Sequence, residues 1–282
     1  LICIERQGLT LATKDKHHSA AIASLLNDVR AARPLVHQIT NYVSVNDCAN
    51  AVLAIGGAPV MADDADEVVE MVGIASALVL NIGTLNRRTI ETMLLAGRRA
   101  NELGKPVLLD PVGAGATALR TETAKMLLRE LRLAVVRGNI SEISALVGEA
   151  GTTRGVDASG LEGDAAKIAV RLAKASGTVA AVTGAVDVIA DDKRIVKVAN
   201  GHPLLTRITG TGCVATALIG AFSGVTDDYP LAAAGGLVCL GMAGERAAAV
   251  HSGTGSFRAG LMDALSGLQA QDVLDEARVH VE

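Results

Sequence analysis

The sequence predicts an α/β fold: a mostly parallel central sheet with helices packed on both faces. Three observations carry that expectation. From about residue 19, short apolar runs alternate with segments of helical length. Half of the 282 residues are hydrophobic, yet aromatics make up 1% and Trp is absent. The core is therefore built from Ala, Val, Leu, Ile and Gly, which suits parallel strands buried on both faces. Finally, the apolar runs close in Asn, Asp, Gly or Arg, as expected where parallel strands reach their carboxyl ends.

The strands read, in order, as LVHQI (35–39), APVM (58–61), ALVLNI (77–82), PVLLDP (106–111), LAVVRG (133–138) and VAAVTG (179–184). Helices are predicted between them over 44–55, 65–75, 87–103, 122–132, 140–148 and 161–176. Asn86 and Thr121 are placed as N-caps of the third and fourth, since a short polar side chain there can accept an orphan backbone N–H. After VAAVTG the pattern changes. DVIAD, the turn Asp191-Asp192-Lys193 and RIVKVAN read as a hairpin. Three helical stretches come next (213–224, 230–250, 257–268) with no strand between them. With neither repeat nor low-complexity linker, residues 19–282 are expected to form a single domain, and residues 1–18 an extension outside it.

Composition excludes several classes. A net charge of −4 with few aromatics argues against a nucleic-acid surface. Cys3, Cys48, Cys213 and Cys239 show no CxxC spacing, so neither a zinc site nor a disulfide framework is indicated, and a cytoplasmic setting fits best. Residues 208–226 carry no charge, but four Gly, four Thr and a Ser dilute them and Asp227-Asp228 ends them. A buried helix is expected there rather than a membrane span. The N-terminal twenty residues lack the unbroken apolar core of a signal peptide.

In open α/β sheets, ligands gather at the carboxyl ends of strands. The polar residues at those ends are Asn41, Asn81, Asp110, Arg137 with Asn139, and Thr183, with Met61 closing the second strand. ITGTGCVATALIGAF (208–222) runs glycine-rich backbone into a helix N-terminus, where unpaired N–H groups and the positive end of the dipole favour an anion. Positions 210–215 formally match G-x-G-x-x-A, but no strand enters the motif, and no P-loop occurs in the chain. The alternative is a tight turn that lets helices pack closely. Cys213 sits where the dipole would lower a thiol pKa; it is equally a small apolar residue. DPVGAGA (110–116) and RGNISE (137–142) bring an Asp and a Glu to neighbouring strand ends, a pair able to hold Mg²⁺ through water. The N-x-x-E spacing of Asn139 and Glu142 also fits a helix cap with a reciprocal Glu.

Taken together and in order, VHQITNYVSVN, GGAPVMA, NIGTLN, LLDPVGAGAT, RGNISEI, VTGAVDVI and ITGTGC resemble the hydroxyethylthiazole kinases, over roughly residues 20–280. The resemblance implies a three-layer ribokinase-like fold. It implies ATP-dependent phosphorylation of the hydroxyl of 4-methyl-5-(2-hydroxyethyl)thiazole, with Mg²⁺, in a homotrimer with active sites between subunits. It implies that Met61 contacts the thiazole, that Asn41 helps to line its pocket, and that Gly210 lies at the reacting hydroxyl. Arg137 and Thr183 would bind ATP, and Asp110 and Glu142 would lie near metal and phosphates. Gly212 and Cys213 complete the phosphate cradle, with Cys213 standing where related sugar kinases carry an Asp base. GGAP and Asp47-Cys48 depart from the usual pattern near the thiazole pocket, which bears on substrate preference. Other ribokinase-like small-alcohol kinases (pyridoxal or hydroxymethylpyrimidine type) and a non-catalytic nucleotide- or thiazole-binding regulator are the competing readings.

Overall fold

The computed structural model describes residues 16–148 and 158–282. Its elements in chain order are α1 (Lys16–Ala32), β1 (Leu35–Ile39), α2 (Val45–Ile55), β2 (Ala58–Val60), α3 (Val68–Ile74), β3 (Ala77–Asn81), α4 (Arg87–Glu102), β4 (Val107–Asp110), α5 (Ala118–Glu130), β5 (Val135–Asn139), α6 (Ile140–Leu146) and α7 (Ala158–Ser176). Next come β6 (Val179–Thr183), β7 (Asp187–Ala190), β8 (Ile195–Val198), a 3₁₀ turn (Pro203–Arg207), α8 (Thr211–Ser223), α9 (Tyr229–Val250), α10 (Thr254–Gly267), α11 (Ala270–Glu276) and β9 (Val279–Val281).

Among the described residues the strands form one nine-stranded sheet, ordered β2-β1-β3-β4-β5-β6-β7-β8-β9. Strands β2 to β6 pair in parallel, and β6 to β9 antiparallel. The parallel strands β1, β3, β4, β5 and β6 alternate their side chains between two aliphatic cores, while the edge strand β2 is only half-buried. On one face Val36, Val79, Leu108 and Val135 pack under α1, α2, α8, α9, α10 and α11. On the other Leu78, Leu80, Leu109 and Val136 pack under α3 to α7. The two Phe of the chain, Phe222 and Phe257, are both fully buried on the first face.

Helix α8 runs along that face from the carboxyl ends of the strands to their starts. Its first turn lies beside Ser44 and Arg137, and Gly224 at its far end lies beside Pro34 and Ser76. Midway, a Cβ on Gly220 would come within 2.7 Å of Val79 Cγ2, so the helix sits directly on the sheet. Of the uncharged segment that begins at Ile208, residues 214–223 are therefore core. Helix α9 alone among the described helices is long and apolar enough to cross a bilayer, and 72% of that window is buried inside the protein.

Several expectations are corrected. Helices α1 and α11 and strand β9 add to the elements read from the sequence. Helix α3 begins at Val68, because 65–67 form a turn. The cap of α5 is Thr117, whose hydroxyl accepts from Arg120 N at 3.3 Å. Thr121 lies inside the helix and donates to Thr117 O at 2.9 Å. Asn86 does cap α4, reciprocally with Thr89. Of the expected N-terminal extension, residues 16–18 belong to α1 and residues 1–15 lie outside the described residues, as does Cys3.

Candidate active site

Strands β1, β3, β4, β5 and β6 end on the same side as the α8 N-terminus, and their last residues build the site. Asn41, just past β1, folds back on itself: its Oδ1 accepts from Val43 N, Ser44 N and Ser44 Oγ, each at 3.1 Å. That fixes the amide, so Nδ2 donates to Asn81 Oδ1 at 2.9 Å and to Cys213 Sγ at 3.2 Å. Asn81 Nδ2 in turn donates to Asp110 Oδ2 at 2.8 Å, and Thr216 Oγ1 donates to the same oxygen at 2.9 Å. Asp110 Oδ2 is thus held twice. Asp110 Oδ1 is buried without a hydrogen bond and lies 3.8 Å from Arg137 Nη1.

An orphaned carboxylate oxygen beside one guanidinium is unusual in a protein interior, where buried polar atoms are normally paired. Burial is the main force raising the Asp110 carboxyl, to about 6. Arg137 opposes the rise, Glu142 adds to it, and the Thr216 and Asn81 hydrogen bonds oppose it. Arg137 is itself steered by Thr183, whose hydroxyl accepts from Nη2 at 2.7 Å. Glu142 is the reciprocal cap that its spacing allowed: Asn139 Oδ1 accepts from Glu142 N, and Glu142 Oε2 accepts from Asn139 N at 2.8 Å. Its Oε1 reaches across to accept from Gly113 N at 2.8 Å, tying the DPVGAGA loop to β5.

The glycines of GTGC have separate reasons. Gly210 is the N-cap of α8 at φ 87°, a left-handed conformation that favours glycine. No side chain caps this end, and the first intrahelical bond runs from Val214 N to Gly210 O. The amides of Thr211, Gly212 and Cys213 therefore have no partner along the helix and point outward. Gly212 is needed for space: a Cβ there would lie 2.6 Å from Arg137 Nη1.

Two cavities meet at this point. One of about 320 Å³ is lined by Asn41, Ser44, Asp110, Glu142, Gly210 and Cys213 among others. The second, about 620 Å³, runs past Thr183 and Asp187 to Pro203, Leu237 and Leu240. Arg137 and Gly212 line both. The site residues read from the sequence converge on these two spaces with two exceptions. Asn81, buried behind Asn41 and Asp110, and Met61, half-buried just beyond the edge strand β2, line neither.

Of the two readings of Cys213, the environment favours the small, protonated residue. Burial, followed by the Asp110 charge, pushes its pKa up, and hydrogen bonds from Ser44, Asn41 and Asn81 only partly offset this. These forces disfavour the thiolate at this position. Cys48 and Cys239 are buried free thiols, as expected. Thr216 and Asp187 were not singled out in the sequence. Thr216 could have been, since it falls one helical turn after Gly212 and Cys213 and so shares their face.

A guanidinium, free helix-terminal amides and a buried carboxylate between a large and a small cavity suit the transfer of an anionic group between two ligands. Comparison with known proteins agrees. The profile of the HK: Hydroxyethylthiazole kinase family matches residues 26–271. The chain is 50% identical over 268 residues to the hydroxyethylthiazole kinase of Ruminiclostridium cellulolyticum, covering 93% of this chain and 98% of that protein. The solved structure of the hydroxyethylthiazole kinase protein from Pyrococcus horikoshii OT3 superposes with a TM-score of 0.87 at 44% identity, over 93% of this chain and 99% of that one. A ribokinase-like superfamily protein from Enterococcus faecalis shares the fold, with a TM-score of 0.59 at 12% identity over 89% of this chain and 94% of that one. The fold is thus ribokinase-like, and the chain belongs to the hydroxyethylthiazole kinase family.

Proposed function

We propose that this chain transfers the terminal phosphoryl group of ATP to the hydroxyl of 4-methyl-5-(2-hydroxyethyl)thiazole, a step in thiamine biosynthesis. One observation carries the reading beyond family membership: Arg137 and Gly212 line both cavities. ATP in the larger space and the alcohol in the smaller one would meet only there. Phosphoryl transfer is mainly a matter of positioning and charge stabilisation, and that junction supplies both. Arg137, steered by Thr183, faces the phosphates, while the amides of Thr211, Gly212 and Cys213 receive charge that builds on the group in transit. The alcohol lies against Gly210, Asn41 and Cys213. Because its thiol stays protonated, Cys213 serves as a wall of the pocket, and an anionic base is not available from it.

The carboxylates at the junction fit Mg²⁺. Asp110 Oδ1 has no hydrogen bond, and each Glu142 oxygen accepts a single N–H and keeps a lone pair. Among the described residues no group of three or more metal-binding side chains gathers, which agrees with an ion that keeps most of its water. Asp110 and Glu142 would hold it, and it would supply positive charge beside the phosphates. A homotrimer with sites completed between subunits is part of the same reading. Tyr42 is 79% exposed and Val43 57%, at the rim of the smaller cavity, an apolar edge suited to cover by a second copy. Met61 enters as a thiazole contact through the family resemblance. The buried free thiols agree with a reducing cytoplasm.

The test is ADP formation from Mg-ATP with and without the thiazole alcohol, beside pyridoxal and hydroxymethylpyrimidine. Release of ADP that depends on the thiazole alcohol is the expected result. Preference for another alcohol would reassign the substrate, and binding of both ligands with no turnover would make the chain a regulator.

A further inference from the structure

Asp187 begins β7, and the antiparallel pairing puts it on the same side of the sheet as the end of β6. Sheet order then sets the succession of side chains along the floor of the larger cavity. Arg137 comes from β5, Thr183 from β6, Asp187 from β7, and Asn200 lies just past β8. Neighbouring strands lie about 4.8 Å apart, so the β5 and β7 ends are separated by about 10 Å. That is roughly the reach of an extended triphosphate from its terminal phosphorus to the sugar it is attached to. Beyond Asp187 the lining turns apolar, with Pro203, Leu237 and Leu240 offering a place for a flat heterocycle.

Of the other polar side chains along this stretch, His202 accepts from Leu204 N through Nδ1 at 3.2 Å and keeps Nε2 for the cavity, while Asn200, Thr206 and Thr211 are committed elsewhere. Asn200 Nδ2 donates to Glu276 O and its Oδ1 accepts from Arg278 N. Thr206 and Thr211 donate to Pro203 O and Leu205 O. Asp187 Oδ1 accepts from Gly184 N at 3.0 Å, whereas Oδ2 receives no hydrogen bond among the described residues. This position therefore offers a fixed, ionisable acceptor between the phosphate end and the base end. A carboxylate repels phosphate, but it accepts well from a sugar hydroxyl. Burial pushes this carboxyl up to about 6, against the Gly184 hydrogen bond and the Arg137 charge, so it is largely ionised near neutral pH.

We propose that Asp187 is the ribose-binding residue of this cavity, accepting a hydrogen bond from the 2′- or 3′-hydroxyl of a nucleoside triphosphate. The inference rests on the nucleotide reading of the larger cavity. It predicts that the enzyme distinguishes ribonucleotides from their deoxy counterparts through this one side chain.

The experiment compares kcat/KM for ATP, 2′-deoxy-ATP and 3′-deoxy-ATP in wild type, Asp187→Asn and Asp187→Ala. Wild type should prefer ATP over at least one deoxy analogue by roughly 10- to 100-fold, the range for a hydrogen bond to a charged group. In Asp187→Ala that preference should collapse to within about threefold, mainly because KM for ATP rises. Asp187→Asn keeps an oxygen for Gly184 N–H, so the turn is preserved while the second acceptor becomes a donor that the hydroxyl can still accept from. Its preference should fall to a few-fold, between wild type and Asp187→Ala, because the charge-assisted part of the bond is lost. A residue that merely shapes the turn would lower all three substrates alike and leave the ratios unchanged, and that result overturns the proposal. So does a wild type that uses all three equally. Failure of the kinase reading itself looks different, because wild type would then release no ADP from ATP and the thiazole alcohol.

Discussion

Gly212 shows how little space the site leaves. A methyl group there would overlap Arg137 Nη1, so the guanidinium must move off the junction. Gly212→Ala is expected to fold, with melting close to wild type, and to lose about 100-fold or more in kcat/KM, the scale for losing one charge-stabilising donor. Steady-state kinetics beside a thermal melt would check this, and near-normal activity would refute the role given to Arg137. Cys213 makes the opposite case. With its pKa raised, the thiolate is disfavoured near neutral pH, so Cys213→Ser should keep kcat within about tenfold. In the same experiment iodoacetamide should alkylate wild-type Cys213 slowly at pH 7. Rapid alkylation, together with loss of activity in the serine variant, would restore the thiolate role that the helix N-terminus suggested. The sequence made the polar residues at the strand ends visible, because parallel topology collects them on one side. It could not reveal the sign of the thiol's shift, which depends first on burial in the folded core and then on an Asp110 charge over a hundred residues away in the chain.

At the scale of elements, β1 carries His37, fully buried on the strand. Its Nε2 bonds to Ala62 O at 2.8 Å, and Nδ1 has no partner. The carbonyl can only accept, so Nε2 carries the proton and the ring is neutral. Burial lowers its pKa, against the Ala62 bond and the Glu67 charge. A folded-state pKa below the unfolded value of about 6.5 means that stability is fully present above that pH and is lost as pH falls below it. Denaturant titrations from pH 8 to 5 should therefore show wild type losing stability relative to His37→Gln, which keeps an N–H donor and cannot titrate. Parallel curves would show that the ring does not report on burial. The strands with continuous aliphatic runs were readable for a simple reason: two-sided burial permits nothing else. Helix α1 also keeps a helical period through Ile22, Leu25, Leu26 and Val29. Strand β9 has only three residues and owes its conformation to pairing with β8, so no local pattern announces it.

For the whole molecule, the seat of α8 on the sheet ties the site to the core. Gly220→Ala would gain about 1 kcal/mol in helix propensity. It would also press a Cβ to 2.7 Å from Val79 Cγ2 and 3.1 Å from Val36 Cγ1, and overpacking of that kind costs about 1–3 kcal/mol. The clash should win, lowering Tm by a few degrees for a chain of this size, with a matching loss of activity as the α8 N-terminus shifts. An unchanged melt would mean that the helix has slack. Light scattering should return a mass of three chains. Tyr42→Lys should shift it towards one chain and lower turnover, whereas a wild-type monomer with full activity would remove the trimer from the reading. The order of strands across the sheet was not legible, since no local signal says that β1 lies between β2 and β3.

The junction shared by the two cavities also bears on waste. If the two ligands sit as proposed, water would fill the smaller room when the alcohol is absent and would meet the same groups as a hydroxyl. Idle hydrolysis of the nucleotide would then be held back chiefly by the poor aim of a small, mobile nucleophile. The acceptor's ring, by fixing its own hydroxyl against Gly210, would act as the sight that lines up the shot.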